Sequence, residues 1–195
     1  MTSRKWQSSA AVAFGLALSL AASEAAMATE RWSLTGFAGV MTDNVWEDSL
    51  QPWKVEFIES GLIGVGLGYS LPIWREGLSI GPELQAVKHF GRQSHLEFNL
   101  PVVVRYRPRR HRFAALEGYA FGIGLSYASE IPQTEIDRDG ASSHFLAYWM
   151  AELEFSLPRE GLSLVARLHH RSDAYGLFAT DSGANALVIG LRNEF

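Results

Sequence analysis

Two residues of the types used in nucleophilic hydrolysis stand close together near the end of the 195-residue chain, in the stretch HHRSDAYG. A histidine can take the proton of a serine hydroxyl, and the serine oxygen can then attack an ester carbonyl. On one face of a β-strand, His170 and Ser172 would be about 6.5–7 Å apart, and side chains that lean together can close that gap. Whether the pair does chemistry depends on the element that holds it and on the direction in which it points.

The N-terminal residues 1–28 have the three parts of a secretory signal peptide. Arg4 and Lys5 precede an apolar run over residues 10–22, and the small residues Ala26 and Ala28 flank Met27. The apolar run is too short to span a membrane as a helix, and its small-residue end is typical of a cleavage site. We therefore predict a signal peptide over residues 1–28 and a secreted domain over residues 29–195.

Composition excludes several classes of function. The chain has 17 basic and 21 acidic residues, and its one basic cluster is RPRRHR, so we expect no nucleic-acid partner. Cysteine is absent, which excludes a disulfide scaffold and thiolate metal sites. The six histidines show no spacing of the His-x-x-x-His kind. We therefore predict neither a metal nor a cofactor.

Apolar and polar residues alternate along the mature chain. In the stretch HLEFNLPVVVRYR, residues 95–107, one face carries Leu96, Phe98, Leu100, Val102, Val104 and Tyr106. The opposite face carries mainly polar side chains, including Glu97, Asn99 and Arg105. A period of two predicts β-strands. The pattern predicts eight strands, at residues 31–43, 54–71, 78–90, 95–107, 112–128, 144–157, 162–173 and 185–195.

Strands of this kind can be buried in two ways. A soluble sandwich or lipocalin-like barrel would turn the apolar face inward, whereas an outer-membrane barrel would turn it toward lipid. Strands of about ten residues or more and an even strand count favour the second arrangement. We therefore predict an all-β fold, an eight-stranded antiparallel transmembrane β-barrel of the bacterial outer membrane. Glu117 is irregular, because counting by twos puts it on the apolar face unless a bulge moves it.

Counting by twos also fixes the direction of the candidate pair. Leu162, Leu164, Ala166 and Leu168 form the lipid face of the seventh strand, and the same face continues to His170 and Ser172. Arg167 and His169 point into the barrel. If the N-terminus lies in the periplasm, the seventh strand ends at the outer surface. A polar pair facing lipid is costly without a role, although residues just beyond the hydrocarbon would be ordinary rim residues.

The stretch HRSDAYG resembles the His-x-Ser-Asn-Ala-Gly signature of the outer-membrane lipid A 3-O-deacylase (PagL) family. The resemblance implies an eight-stranded barrel with catalytic groups on its lipid-facing surface. It implies an esterase that hydrolyses the 3-O-linked acyl ester of lipid A, with lipopolysaccharide as partner and no cofactor. Carried over to this sequence, His170 is the general base and Ser172 the nucleophile.

Two positions depart from the family pattern, and one extra residue, Tyr175, stands before Gly176. The family's Asn after the serine helps to hold the oxyanion, but here it is Asp173, which offers no donor at neutral pH. The backbone N–H of Gly176 is then the expected oxyanion donor. The family's acid matches Asn185, which can orient an imidazole but stabilises its cation less. Asp181, in the preceding loop, is the alternative acid, and an ordinary solvated loop residue is the simpler interpretation of it.

The sequence therefore predicts a lipid A deacylase in the outer membrane. The alternative is a non-catalytic barrel, structural or adhesive, that kept the scaffold without the acid and the oxyanion amide. The sequence leaves the oligomeric state open between a monomer and a homodimer.

Overall fold

In a computed structural model, the eight strands form one closed antiparallel barrel in which every strand pairs with its neighbours in sequence. The structure describes residues 30–74, 77–108, 115–178 and 181–195. The predicted signal peptide, residues 1–28, lies outside the described residues and stays a prediction. The barrel closes where the first strand pairs with the last, and this seam brings Thr42 opposite Asn185.

Each predicted strand overlaps an observed one. The strands are β1 (Arg31–Thr42), β2 (Phe57–Trp74), β3 (Leu78–Gly91), β4 (Leu96–Tyr106), β5 (Leu116–Ala128), β6 (Phe145–Ser156), β7 (Leu162–Ser172) and β8 (Gly183–Glu194). Two short helices that the sequence analysis did not predict are α1 (Trp46–Ser49) and α2 (Gln133–Asp139). Both helices lie at the loop end, which we define as the end where β1, β3, β5 and β7 finish. Within the described ranges, no helix is long and apolar enough to cross a membrane.

The apolar face of the sheet points outward, as the alternation predicts. Along β4, exposed and buried residues alternate without interruption from Leu96 to Tyr106. Leu100 is 57% exposed, whereas its neighbour Asn99 is 1% exposed. A surface of this kind suits lipid, and it excludes a soluble barrel with an apolar interior.

The interior of the barrel is filled by ion pairs. Arg167 donates to Glu83 at 2.9 Å and to Glu152 at 2.8 Å. Arg105 donates to Glu154 at 2.7 Å, and Arg192 lies against the same group of carboxylates. Buried charges are tolerated when each has opposite charges and hydrogen bonds around it. The predicted inward direction of Arg167 is therefore confirmed.

A bulge resolves the position of Glu117. The pairing of β5 with β6 shifts register between Leu116 and Gly118, so Glu117 leaves the outer face. Its carboxylate accepts a hydrogen bond from the inward-facing Ser163 at 2.9 Å and lies 3.8 Å from Arg107. The bulge thus adds one more carboxylate to the interior, because an extra residue reverses the direction of the side chain.

Candidate active site

The last three strands place the candidate residues next to one another on the outer face at the loop end. In the β6–β7 register, His170 lies opposite Trp149, and in the β7–β8 register it lies opposite Asn185. Ser172 follows on the same face of β7, between Ala147 and Gly183 of the neighbouring strands. The sheet therefore gathers a histidine, its amide partner and a serine within two residue steps.

Asn185 fixes the orientation and the tautomer of His170. The Asn185 side-chain nitrogen donates to the backbone carbonyl of Asn44 at 2.7 Å. Its side-chain oxygen therefore faces His170, where it lies 2.6 Å from Nδ1 and accepts a hydrogen bond from it. With the ring proton on Nδ1, the Nε2 atom of His170 carries a free lone pair. A base with an open Nε2 is the form that proton transfer from a serine requires.

One indole ring covers the imidazole on the outer face, and a second indole packs against the first. The ring of Trp149 lies 4.5 Å from that of His170, between ring centroids, and the ring of Trp46 meets Trp149 edge-on at 5.5 Å. Trp46 belongs to α1, which is attached to the end of β1 by a 2.9 Å hydrogen bond between Thr42 and Ser49. His170 is in consequence only 8% exposed, while Ser172 is half-buried. The serine is thus the more accessible of the two groups.

The turn after Ser172 is tight and unusual. Ala174, Tyr175 and Gly176 all have positive φ, at 53°, 58° and 89°. The backbone N–H of Gly176 donates to the Asp173 carboxylate at 2.6 Å, and the Asp173 N–H donates to the Ser182 carbonyl at 2.8 Å. In this structure Asp173 therefore holds the N–H group that the sequence analysis expected to be free for an oxyanion.

The sequence model of the family described as Lipid A 3-O-deacylase (PagL) matches residues 4–192. The chain belongs to this family. Membership in the PagL family confirms the lipid A 3-O-deacylase activity and the outer-membrane location that the sequence predicts. Among curated proteins, no significant match was found.

Solved structures bear on the fold alone. The crystal structure of the outer membrane enzyme PagL matches with a TM-score of 0.52 at 13% identity, covering 83% of this chain and 98% of that one. A structure from the de novo design of transmembrane β-barrels matches with a TM-score of 0.47 at 12% identity, covering 85% of this chain and 95% of that one. The likeness to the PagL crystal structure supports the eight-stranded barrel seen here.

Helix α2 supports the site of this PagL-family protein from the neighbouring loop. The Asp139 carboxylate accepts the N–H of Gly183 at 3.1 Å, and Arg138 donates to the Gly183 carbonyl. Glu135 pairs with the buried Arg171 at 3.1 Å. Burial raises the pKa of the Glu135 carboxyl, against the opposing charge of Arg171. These contacts hold β7 and β8 beside Ser172, because Arg171 precedes Ser172 on β7 and Gly183 lies opposite Ser172 on β8.

Of the residues predicted for this PagL-family site, the structure brings His170 and Asn185 into contact and puts Ser172 on their face of the sheet. Asp181, the alternative acid, is exposed in the loop with a φ of 45°. The sequence analysis missed Asn44 and Trp149, which orient Asn185 and cover His170. Both come from segments far away in sequence, and strand alternation carries no signal for such neighbours. Only strand order, with the sixth strand beside the seventh, could have indicated Trp149.

Proposed function

We propose that this protein hydrolyses the 3-O-linked acyl ester of lipid A with Ser172 as nucleophile and His170 as general base. The observation that carries the proposal is the 2.6 Å hydrogen bond from His170 to Asn185. This bond leaves Nε2 open on the strand face that continues to Ser172. Family membership supports the reaction, and this geometry supports the assignment of His170 and Ser172 to it.

The first step forms an acyl-enzyme. His170 Nε2 takes the hydroxyl proton of Ser172 as the Ser172 oxygen bonds to the ester carbonyl carbon. When the tetrahedral intermediate collapses, the bond to the lipid A oxygen breaks, and the imidazolium returns its proton to that oxygen. The acyl chain remains on Ser172. A water molecule, activated by His170, then releases it as a fatty acid.

Asn185 acts in this mechanism as a positioning residue. It keeps the proton on Nδ1 and the ring in one orientation, and the carbonyl of Asn44 keeps the amide itself from turning. An amide gives the imidazolium less stabilisation than a carboxylate would. We therefore infer a slower first step than a site with a carboxylate at position 185 would have.

The oxyanion is served by the turn that follows Ser172. Negative charge on Asp173 opposes an oxyanion, and the Gly176 N–H is held by that same carboxylate. We propose that substrate binding turns the Gly176 N–H from Asp173 toward the ester oxygen. Backbone N–H groups aimed at a developing oxyanion are a large source of rate enhancement.

The substrate approaches from the membrane and not from water. With the N-terminus in the periplasm, the loop end faces outward, so the outer-face residues His170 and Ser172 meet the outer leaflet near its headgroups. The ester bonds of lipid A lie at that depth, between sugar and hydrocarbon. All of the proposed groups come from one chain, so the proposal holds equally for a monomer and for a homodimer.

Mass spectrometry of lipid A tests the proposal. Cells that produce the protein should contain lipid A that has lost one ester-linked acyl chain, and the corresponding fatty acid should be released. Cells that produce Ser172→Ala at the same level should retain the full set of chains. Unchanged lipid A in cells that contain the folded wild-type barrel would contradict the proposal.

A further inference from the structure

A second cluster of reactive side chains lies inside the barrel at the loop end. His89, His95 and Glu97 are all buried, and each offers one ligand atom within 4.8 Å of the others. We propose that these three residues bind one divalent transition-metal ion of the zinc type. The site lies in the interior and does not depend on the catalytic proposal for the outer face.

The hairpin between β3 and β4 assembles the cluster. His89 is near the end of β3, His95 directly precedes β4, and Glu97 is the second residue of β4. The His89 N–H donates to the His95 carbonyl at 3.0 Å, and the two imidazoles stack with ring centroids 4.3 Å apart. Five residues lie between His89 and His95 in the hairpin. This spacing differs from the spacing of two histidines on one helix, by which metal sites are usually found in sequences.

His95 gives the first indication of a missing ligand. Its side chain is 3% exposed, and its Nε2 atom has no hydrogen-bond partner among the described residues. A buried polar nitrogen without a partner is costly, and such atoms call for an unplaced water or ion. A metal ion at this position would use the Nε2 lone pair.

The second indication is a small enclosed cavity beside the cluster. Its volume is about 10 Å³, and its lining includes His89, His95 and Glu97. A polar cavity of roughly 10–15 Å³ is near the minimum for one water molecule. The cavity has room for a single ion, and coordination by both rings requires the His95 imidazole to turn out of its stack on His89, because the lone pairs of parallel rings do not converge.

Glu97 is already oriented for coordination. Its carboxylate lies 2.7 Å from His89 Nε2 and 2.9 Å from His169 Nε2. An ion on His89 Nε2 would displace the proton shared with Glu97, and this proton would move to Nδ1, so that the ring stays a neutral ligand. His169 would keep its hydrogen bond and hold the carboxylate in place from outside the coordination shell. Gln93 Nε2 donates to His89 Nδ1 at 3.3 Å in the metal-free state, and the Gln93 amide would have to turn its oxygen toward the Nδ1–H of a metal-bound His89.

The ligand types select the metal. Two imidazoles and one carboxylate suit zinc and its transition-metal neighbours, whereas calcium and magnesium prefer oxygen ligands alone. Nearby positive charge does not oppose the ion strongly, because Arg171 is paired with Glu135. Three protein ligands leave a fourth position, which water would occupy.

Metal titration of the purified barrel, refolded in detergent without metal, tests the site. Co²⁺ should give the visible absorption of a four-coordinate ion and saturate at about one ion per chain, and Zn²⁺ should displace it. The variant His95→Phe keeps an aromatic ring against His89 but removes the nitrogen ligands. We expect its Co²⁺ affinity to fall at least about tenfold. The matched control is His144→Phe, which changes an exposed histidine outside the cluster and should leave the titration unchanged.

Thermal unfolding gives an independent readout. Zn²⁺ should raise the melting temperature of the wild type and of His144→Phe but not that of His95→Phe, because the ion binds the folded state. His89→Phe, with the same expected losses, replaces His95→Phe if that variant does not fold. A wild-type barrel that takes up no stoichiometric Co²⁺ would overturn the proposal. Undiminished binding in a folded His95→Phe barrel would overturn it as well.

Discussion

The inner and outer faces of β7 surround their polar side chains with different partners. Inside the barrel, the side chain of Arg167 is fully buried and forms ion pairs with Glu83 and Glu152. On the outer face, the hydrogen-bond partner of His170 is the uncharged amide of Asn185, and its ring packs against the indole of Trp149. The interior network joins different strands across the barrel, whereas the outer face carries the nitrogen and the hydroxyl that we propose for hydrolysis.

The difference between the two faces of β7 bears on how a barrel can carry the proposed site next to lipid. In the interior, ion pairs within the protein offset part of the cost of removing the charges from water. A charged site on the outer face would have no such compensation in hydrocarbon. A neutral histidine with a neutral amide partner is the less costly arrangement there, and it fits Asn185 in place of a carboxylate.

Removing the nucleophile should have the largest effect. Ser172→Ala should lower lipid A ester hydrolysis by roughly 10⁴-fold or more, because the acyl-enzyme cannot form. The measurement is release of fatty acid from lipid A in detergent. Ser163→Ala is the matched control, since Ser163 lies on the same strand but points inward to Glu117. Equal losses in both variants would mean that the two faces of β7 are not functionally distinct.

Breaking the interior network should affect stability and not chemistry. Arg167→Met leaves Glu83 and Glu152 with less positive charge around them, and we expect a loss of about 3–5 kcal/mol in the free energy of unfolding. Urea unfolding followed by tryptophan fluorescence measures it. Arg31→Met is the control, because the Arg31 side chain is 58% exposed in its pair with Glu194 and should cost less than about 1 kcal/mol. Activity per folded Arg167→Met molecule should be close to that of the wild type.

Loss of the amide should slow the reaction without changing binding. Asn185→Leu removes the acceptor that holds His170 Nδ1–H, so we expect kcat to fall by roughly 10²-fold with little change in KM. Steady-state kinetics on a soluble ester separates the two parameters. Asn193→Leu, on the same strand face but at the opposite end of β8, should leave both unchanged. A rise in KM alone would indicate that Asn185 contacts substrate and does not position the base.

The smallest effect is expected at the turn. Asp173→Asn removes a negative charge beside the oxyanion and supplies an amide donor, so the rate should rise, by less than roughly 10²-fold. The exposed Asp181→Asn removes the same charge from the same loop and should have no effect. A rate for Asp173→Asn below that of the wild type would show that the carboxylate is needed to hold the Gly176 turn.

Strand alternation was sufficient to predict the barrel and the faces of β7. The period of two is imposed by the pleat, so Leu164 and His170 had to share a face once the strand was assigned. The interior position of Glu117 could only be stated as an alternative. A bulge changes the count by one residue, and nothing in the local sequence reports it.

The surroundings of the site could not be predicted from the same pattern. Asn44 reaches Asn185 through the barrel seam, and Trp46 reaches Trp149 through a short helix that has no periodic signal. The His89, His95 and Glu97 cluster was also missed, since it depends on where two strands meet across a hairpin. Such contacts are set by the closed sheet, and single-strand periodicity does not contain them.

The pairing of β1 with β8 links the geometry of the proposed active site to the closure of the barrel. Thr42 pairs with Asn185 across this seam, and Asn44, just beyond β1, holds the Asn185 amide. The first and last strands are the two ends of the sheet, so their pairing completes the ring. The orientation of His170 therefore depends on ring closure, and an open sheet with all eight strands formed would lack a positioned base. We therefore expect hydrolytic activity only from the closed barrel, and a chain whose first and last strands have not yet paired should not deacylate lipid A.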